Sequence, residues 1–127
     1  MITIKVSPGE LIDKITILKL KNKFIHNENQ LKNINIELDI LLPILSKNNL
    51  NTEEFEQLSD ELYIVNNKLW EIEDNIRDKE RLSDFGEEFI KLARDVYFTN
   101  DKRSEIKKKI NILAGSEIIE EKSYSDY

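Results

Sequence analysis

Arginine side chains at helical spacing are the residues of this sequence whose type and position could do chemistry. Only four of the 19 basic residues are arginine, and Arg94 and Arg103 lie in one amphipathic segment, with Lys107 one turn further on. A guanidinium is planar and permanently charged, and it bonds carboxylate or phosphate oxygens in pairs. These cations predict an inter-helical pocket for an anionic small metabolite such as a sugar phosphate, a nucleotide sugar or a dicarboxylate.

Polar and aromatic side chains on two predicted helices complete this predicted pocket. Counting along the helices from a predicted turn near residue 83 places Asn66, Thr99 and Arg103 in one layer. Trp70 is the only tryptophan of the chain and lies one turn further along the same helix as Asn66. The side chains predicted to contact the ligand are Asn66, Trp70, Arg77, Arg94, Tyr97, Asn100, Asp101, Arg103 and Lys107.

Glu73 and Asp74 are the candidates for a catalytic acid or base, if the pocket is catalytic. No cofactor is expected, with Mg²⁺ at this acidic pair as the alternative, because carboxylates on facing helices form such sites. The spacing of Asp74 and Arg77 favours an ordinary surface pair over a metal site. The one matching acidic pair elsewhere, Glu10 with Asp13, is typical of a solvated first helical turn, where acids complement the helix dipole.

A second interpretation makes Arg103 a structural residue. A buried charge without a partner is costly, so an arginine in a helical seam must be paired or face a wet cavity. Paired polar residues in a seam can set the register of packed helices. The protein would then be a non-catalytic helical dimer or adaptor. The sequence leaves both interpretations open.

Heptad spacing of apolar residues predicts three long helices that position these side chains. Steps of three and four residues run through each helix, as in a coiled coil, with Asn27 as a polar seam position in the first. The predicted class is mainly all-α, an antiparallel bundle in a single domain, residues 1–127. The helices are expected at about 8–46, 52–80 and 84–114. A break near Thr99–Asp101 is the alternative to a continuous third helix.

The segments outside the helices carry weaker signals. Ile2–Val6 alternates apolar and polar residues, which predicts a short strand. The tail, residues 116–127, is expected to be extended, with Glu117–Glu121 pairing with that strand. A free tail is the alternative, since the ends of a chain are often poorly ordered.

The composition excludes several classes of protein and site. A net charge of −6 argues against binding nucleic acid through its phosphates. The absence of cysteine excludes disulfides and thiolate metal sites. No apolar run is long enough to cross a membrane, so we expect a cytoplasmic protein without a membrane partner. Apolar residues outside the seams, such as Ile64 and Ile90, favour a homodimer.

Five segments resemble a known family; they are SPGELIDKITIL, LWEIEDNIR, DFGEEFIKLARDVYFTNDKR, KKIN and GSEIIEEKSY, at residues 7–18, 69–77, 84–103, 108–111 and 115–124. They resemble a family of small bacterial and viral proteins of unknown function, often encoded beside glycosyltransferases for surface polysaccharides. The resemblance implies a role near glycan or nucleotide-sugar metabolism. It also gives weight to the EEKSY segment near the end of the chain.

A looser resemblance is to the all-helical chorismate mutases, which bind a dicarboxylate between long helices with arginine and lysine. The segments ELIDK and DKR, at residues 10–14 and 101–103, carry this likeness. Those enzymes rely on an arginine in their first helix, whereas the first helix here contains none. That departure puts the activity of those enzymes in doubt for this chain.

Overall fold

Four α-helices make up the fold, in a computed structural model that describes residues 1–127. The helices are α1 (Pro8–Phe24), α2 (Glu28–Lys47), α3 (Glu53–Arg81) and α4 (Glu87–Leu113). The short turn between α3 and α4 makes them an antiparallel hairpin. The α1 backbone approaches all three other helices, whereas the α2 backbone approaches α1 alone. The all-helical class is confirmed, and α1 is the helix that holds the bundle together.

The prediction of one helix from residue 8 to residue 46 was wrong, because the chain turns at Ile25–Asn27. Ile25 and Asn27 have extended backbone conformations, so α1 ends before Ile25 and α2 begins after Asn27. The Asn27 side chain, interpreted as a seam position, instead accepts a hydrogen bond from the backbone N–H of Gln30 at 3.0 Å. Asparagine favours this capping position over a helix interior because its oxygen replaces a missing backbone partner. The predicted three-helix bundle is therefore a four-helix fold.

The prediction of a short strand was also wrong. Residues 2–6 form no strand, and the C-terminal segment (residues 114–127) contains neither helix nor strand. The two later helices lie close to their predicted bounds, and α4 runs without a break through Thr99–Asp101. Local capping and heptad spacing determine those helices, whereas a strand needs a partner that this chain does not bring to Ile2–Val6.

The hydrophobic core lies where α1 crosses the hairpin. Its most buried members are Ile15 on α1, Leu62 on α3 and Ile110 on α4. Ile34 and Leu38 of α2 close the core from the other side of α1. No apolar residue of the hairpin between Ile72 and Thr99 belongs to this core cluster. The core therefore occupies one half of the hairpin, at the level of Arg103.

None of the four helices combines the length and the apolar character that crossing a membrane requires.

Candidate functional site

A buried aspartate on α1 is the centre of the polar cluster. Asp13 is 1% exposed, although it lies in the second turn of its helix. Arg103 of α4 grips it with two hydrogen bonds, from Nε to Oδ1 at 3.0 Å and from Nη2 to Oδ2. These bonds to Asp13 raise the pKa of the Arg103 guanidinium, outweighing the effect of its partial burial. The arginine is therefore paired, as burial requires.

Two neutral side chains complete the bonding around Asp13. The Asn66 amide on α3 donates to Asp13 Oδ1 and to Thr16 Oγ1, both at 2.9 Å. The Thr16 hydroxyl in turn donates to the backbone carbonyl of Asp13 at 2.7 Å. Asn66 and Arg103 thus meet at one carboxylate, as the count along the helices predicts. This network joins α1 to both helices of the hairpin.

Lys107 lies one turn beyond Arg103 and faces three carboxylates. Its ammonium is 2.8 Å from Glu10 Oε2, 3.8 Å from Asp13 Oδ2 and 3.5 Å from Glu120 Oε2. Burial lowers the pKa of Lys107. The bond to Glu10 and the charges of all three acids raise this pKa by more than burial lowers it, so the net shift is upward. Lys107 is consequently held as a cation at the edge of the core.

Close backbone contact between α1 and α4 sets the distance across this cluster. The Gly9 N–H donates to Asn111 Oδ1 at 2.7 Å, and both residues are buried. A Cβ atom at Gly9 would lie 2.6 Å from the Lys107 carbonyl oxygen. Only glycine allows the two helices to approach this closely. The first turn of α1 therefore lies directly against the turn of α4 that carries Lys107.

A cleft of about 1110 Å³ opens beside Lys107, between α4 and the C-terminal segment. We call it the C-terminal cleft. One wall is α4, with the side chains Val96, Tyr97, Asn100, Asp101, Ser104, Lys107, Lys108 and Asn111. The other wall is the C-terminal segment, with Glu120, Glu121, Lys122, Tyr124, Ser125, Asp126 and Tyr127. Most of its lining residues are polar or charged, and Lys107 is its most deeply buried cation.

Side-chain contacts hold the C-terminal segment against α4. Lys122 Nζ lies 2.6 Å from Asp101 Oδ1, and the Tyr127 hydroxyl donates to the other oxygen of the same carboxylate. The Tyr127 ring also packs against Tyr97 and Phe98, with centroids 5.4 and 4.7 Å apart. The bonds from Lys122 and Tyr127 lower the pKa of Asp101. Asp101 is therefore the anchor of this segment.

Docking of Tyr127 is expected to depend on pH in the alkaline range. Its bond to Asp101 raises the pKa of the phenol from 10.0 to about 12. Since the docked state holds the proton more tightly, its contribution is full below about pH 10 and is lost as pH rises through about 12. An ultraviolet titration of tyrosinate, compared with a Tyr127→Phe variant, measures this pKa. Asp101→Asn should return it toward 10.0, and a Tyr127 that titrates near 10.0 in the unaltered chain would contradict the contact.

Comparison with known proteins gives a family without an activity. Residues 2–127 match the profile of a family of unknown function, DUF6165. The chain belongs to this family. No curated protein and no solved structure matches it. The resemblance to a family of unknown function is thus confirmed, and the cluster around Asp13 is the feature of this DUF6165 chain from which a function can be argued.

The structure separates the sequence-predicted site residues of this DUF6165 chain into two groups. Tyr97, Asn100, Asp101 and Lys107 line the C-terminal cleft, and Asn66 and Arg103 lie beside it in the Asp13 network. The remaining candidates lie elsewhere: Trp70 stacks on Phe24, Arg94 is exposed beside Phe98, and Arg77 pairs with Glu73 on the surface of α3. Arg94, Arg103 and Trp70 therefore do not share a cavity.

The candidate catalytic pair lies outside the C-terminal cleft. Glu73 and Asp74 are exposed on α3, and Glu73 Oε2 is 3.2 Å from Arg77 Nε. No group of three His, Cys, Asp or Glu side chains in the structure is placed to hold a metal ion. The pair has the geometry of ordinary surface carboxylates.

Sequence reasoning missed Asp13 as the partner of Arg103. The interpretation of a solvated first turn was wrong for Asp13, because Asp13 is seven residues before the buried Leu20 and so lies on the same buried face of α1. The sequence did contain a signal for this pair, since Asp13 is a negative charge at a seam position of α1 and Arg103 is a positive charge in the seam of α4. Asn111 and Glu120 were missed as well, and nothing in their local sequence indicates that they meet α1 and Lys107.

Proposed function

We propose that the protein binds a hydroxyl-rich anionic metabolite, a sugar phosphate or a nucleotide sugar, in the C-terminal cleft. The observation that carries the proposal is the position of Lys107, a cation with a side chain only 14% exposed at an open cleft. Such a cation offers a strong, partly desolvated bond to a phosphate or carboxylate oxygen.

Glu120 is the partner of Lys107 that a ligand would replace. Glu10 and Asp13 approach the ammonium from α1, and Asn66 and Arg103 also hold Asp13 in place. Glu120 approaches from the C-terminal segment at 3.5 Å, and its side chain is 53% exposed. An anionic group in its place preserves the local charge balance, so the exchange avoids leaving a buried cation unpaired.

The rest of the cleft suits the uncharged part of such a ligand. Tyr97, Tyr124 and Tyr127 contribute aromatic rings to the lining, and Asn100 and Ser104 add neutral hydrogen-bonding groups. Rings of this kind pack on the apolar face of a sugar while amides and hydroxyls bond its oxygens. The resemblance to proteins encoded beside polysaccharide glycosyltransferases supports the same ligand class.

Binding can be tested by calorimetry with inorganic phosphate, glucose 1-phosphate, UDP-glucose and succinate, each with and without Mg²⁺. A Lys107→Gln variant is expected to bind about 10- to 100-fold more weakly, as loss of one charged hydrogen bond implies. Glu120→Gln should bind more tightly because it removes the competing carboxylate. Lys109→Gln, an exposed neighbour on the same helix, is the matched control and should leave binding unchanged.

Two outcomes would contradict this proposal. The first is the absence of binding for every probe by the unaltered chain. The second is binding that Lys107→Gln leaves unchanged while thermal unfolding shows the variant to be folded. Because Glu73 and Asp74 lie outside the cleft, the proposal includes no catalytic step.

One observation favours the second interpretation, a non-catalytic helical protein with a register-setting polar seam. Asp13 takes up two donor groups of Arg103, as that role requires. The absence of measurable binding for every probe would favour this alternative. A double replacement of Asp13 and Arg103 by apolar residues tests it independently.

A further inference from the structure

The first six residues project from the fold with their apolar side chains in water. We call residues Met1–Val6 the N-terminal arm. The exposed fraction rises along it away from α1, from 48% at Val6 to 73% at Ile4 and 92% at Ile2. The arm makes no hydrogen bond to the rest of the chain. The N-terminal arm therefore extends into solvent away from the four helices.

The arm nevertheless has the residue pattern of a strand that buries one face. Ile2, Ile4 and Val6 alternate with Thr3 and Lys5, so the three apolar side chains of an extended arm point the same way. Isolated exposed apolar residues are ordinary, but an aligned row with unpaired backbone is a docking element. No surface of this protomer covers the apolar side chains of Ile2 and Ile4.

An apolar cleft of about 460 Å³ lies at the root of the arm. We call it the apolar cleft. Its lining contains no charged residue and consists of Val6, Ser7, Pro8, Leu11, Ile44, Asn48, Asn49, Leu50, Phe55, Leu113 and Ala114. Asn48 and Asn49 place amide groups in the lining, where they could bond the backbone of an extended peptide. The cleft thus has an apolar floor and polar groups, as a strand-binding surface requires.

We infer that two copies of this chain exchange their N-terminal arms, with Ile2 and Ile4 of one copy lying in the apolar cleft of the other. The exchange is reciprocal, so it closes as a two-fold dimer and leaves no unpartnered arm or cleft. The exchange places the five residues Met1–Lys5 of each copy against the eleven residues that line the cleft of the other copy.

Charge complementarity favours a second copy as the occupant. The arm carries one charged side chain, Lys5, and no acidic residue. Phe55 of the cleft lies in the first turns of α3, beside Glu53, Glu54 and Glu56. An arm docked on another copy places Lys5 near this acidic turn, whereas an acidic partner segment would be repelled there.

The first test is the mass in solution, measured by analytical ultracentrifugation over a range of concentrations. The unaltered chain is expected at twice its own mass, and an Ile2→Lys/Ile4→Lys variant at its own mass. Ile36→Lys/Ile40→Lys places the same charges on two half-exposed isoleucines of α2 and is the matched control, which should remain dimeric. A monomer at all concentrations, or a dimer that the arm variant leaves intact, overturns the inference.

A second test uses the absence of cysteine from the chain. Ile4→Cys and Leu113→Cys variants, mixed and treated with a short bis-maleimide, should give a covalent dimer that joins the two different variants. The mixture Ile4→Cys with Ile64→Cys, which places the second thiol on the outer face of α3, should not. Cross-linking within one chain carrying both Ile4→Cys and Leu113→Cys, without the dimer, shows that the arm returns to its own cleft and overturns the inference. Neither test measures ligand binding, so failure here is distinguishable from failure of the proposed function.

Discussion

Replacing Asp13 by alanine is expected to lower the free energy of unfolding by about 3–5 kcal/mol. The substitution leaves Arg103 without its two acceptor atoms and removes one of the three acids around Lys107. It also removes one of the two acceptors of the buried Asn66 amide. Urea denaturation followed by circular dichroism measures the change. Asp39→Ala, at an exposed position of α2 without an ion pair, should change stability by no more than about 0.5 kcal/mol.

A double-mutant cycle measures the interaction of Asp13 with Arg103 separately from the other contacts of the two side chains. Asp13→Leu with Arg103→Met replaces both charges by apolar groups of similar length, and it should recover most of the loss of Asp13→Leu alone. Asn66 keeps its bond to Thr16, and Lys107 keeps its bond to Glu10. If Asp13→Ala does not fold, Asp13→Asn provides the measurement, because it keeps an acceptor for one donor. A loss below about 1 kcal/mol for Asp13→Ala would mean that Arg103 is solvated in solution.

Replacing Gly9 by alanine should destabilise the protein by about 2–4 kcal/mol, from overpacking and the loss of one buried hydrogen bond. The new Cβ would lie 2.6 Å from the Lys107 carbonyl and 2.9 Å from Asn111 Oδ1. The carbonyl belongs to the α4 backbone, so α1 must move away, which also breaks the bond from Gly9 to Asn111. Alanine is the better helix former, and the loss is expected in spite of that preference.

Gly86→Ala is the matched control for this substitution. It lies before α4, and its added Cβ would meet only Asp84 Oδ1, at 3.4 Å. Its stability should change by no more than about 0.5 kcal/mol. Equal effects of Gly9→Ala and Gly86→Ala would show that α1 and α4 do not pack as closely as the structure places them. Thermal and urea unfolding of the two variants side by side give the comparison.

The two substitutions test one arrangement, because Asp13 and Gly9 hold the same helix against the hairpin. Gly9 sets the distance between α1 and α4, and Asp13 sets their register through Arg103. That placement brings Glu10 and Asp13 to Lys107 and leaves Glu120 as its exchangeable partner. The proposed binding cleft therefore depends on α1, although α1 contributes no side chain to its walls.

Local signals in the sequence determined where α1 begins and, approximately, where α3 and α4 begin and end. The Ser7 side chain accepts from the Glu10 N–H at 3.2 Å, as its place before Pro8 predicts. The apolar series from Phe55 to Ile76 predicts α3 to within one residue at each end, because heptad spacing and side-chain burial follow the same helical period. The corresponding series on α4 shows that Arg103 lies in a seam and must have a partner.

Only the tertiary structure decided which residues meet. Asn27 suits both a seam position and a cap, and the packing of α2 on α1 selects the cap. Asp13 and Arg103 are 90 residues apart, and Gly9 and Asn111 are 102 apart, so no local pattern encodes either contact. The spacing of residues along the sequence does not predict the bonds from the C-terminal segment to Asp101 either. The seam arginine was evident in the sequence, whereas its carboxylate, and the cleft that opens beside it, result from the way α1 crosses the hairpin.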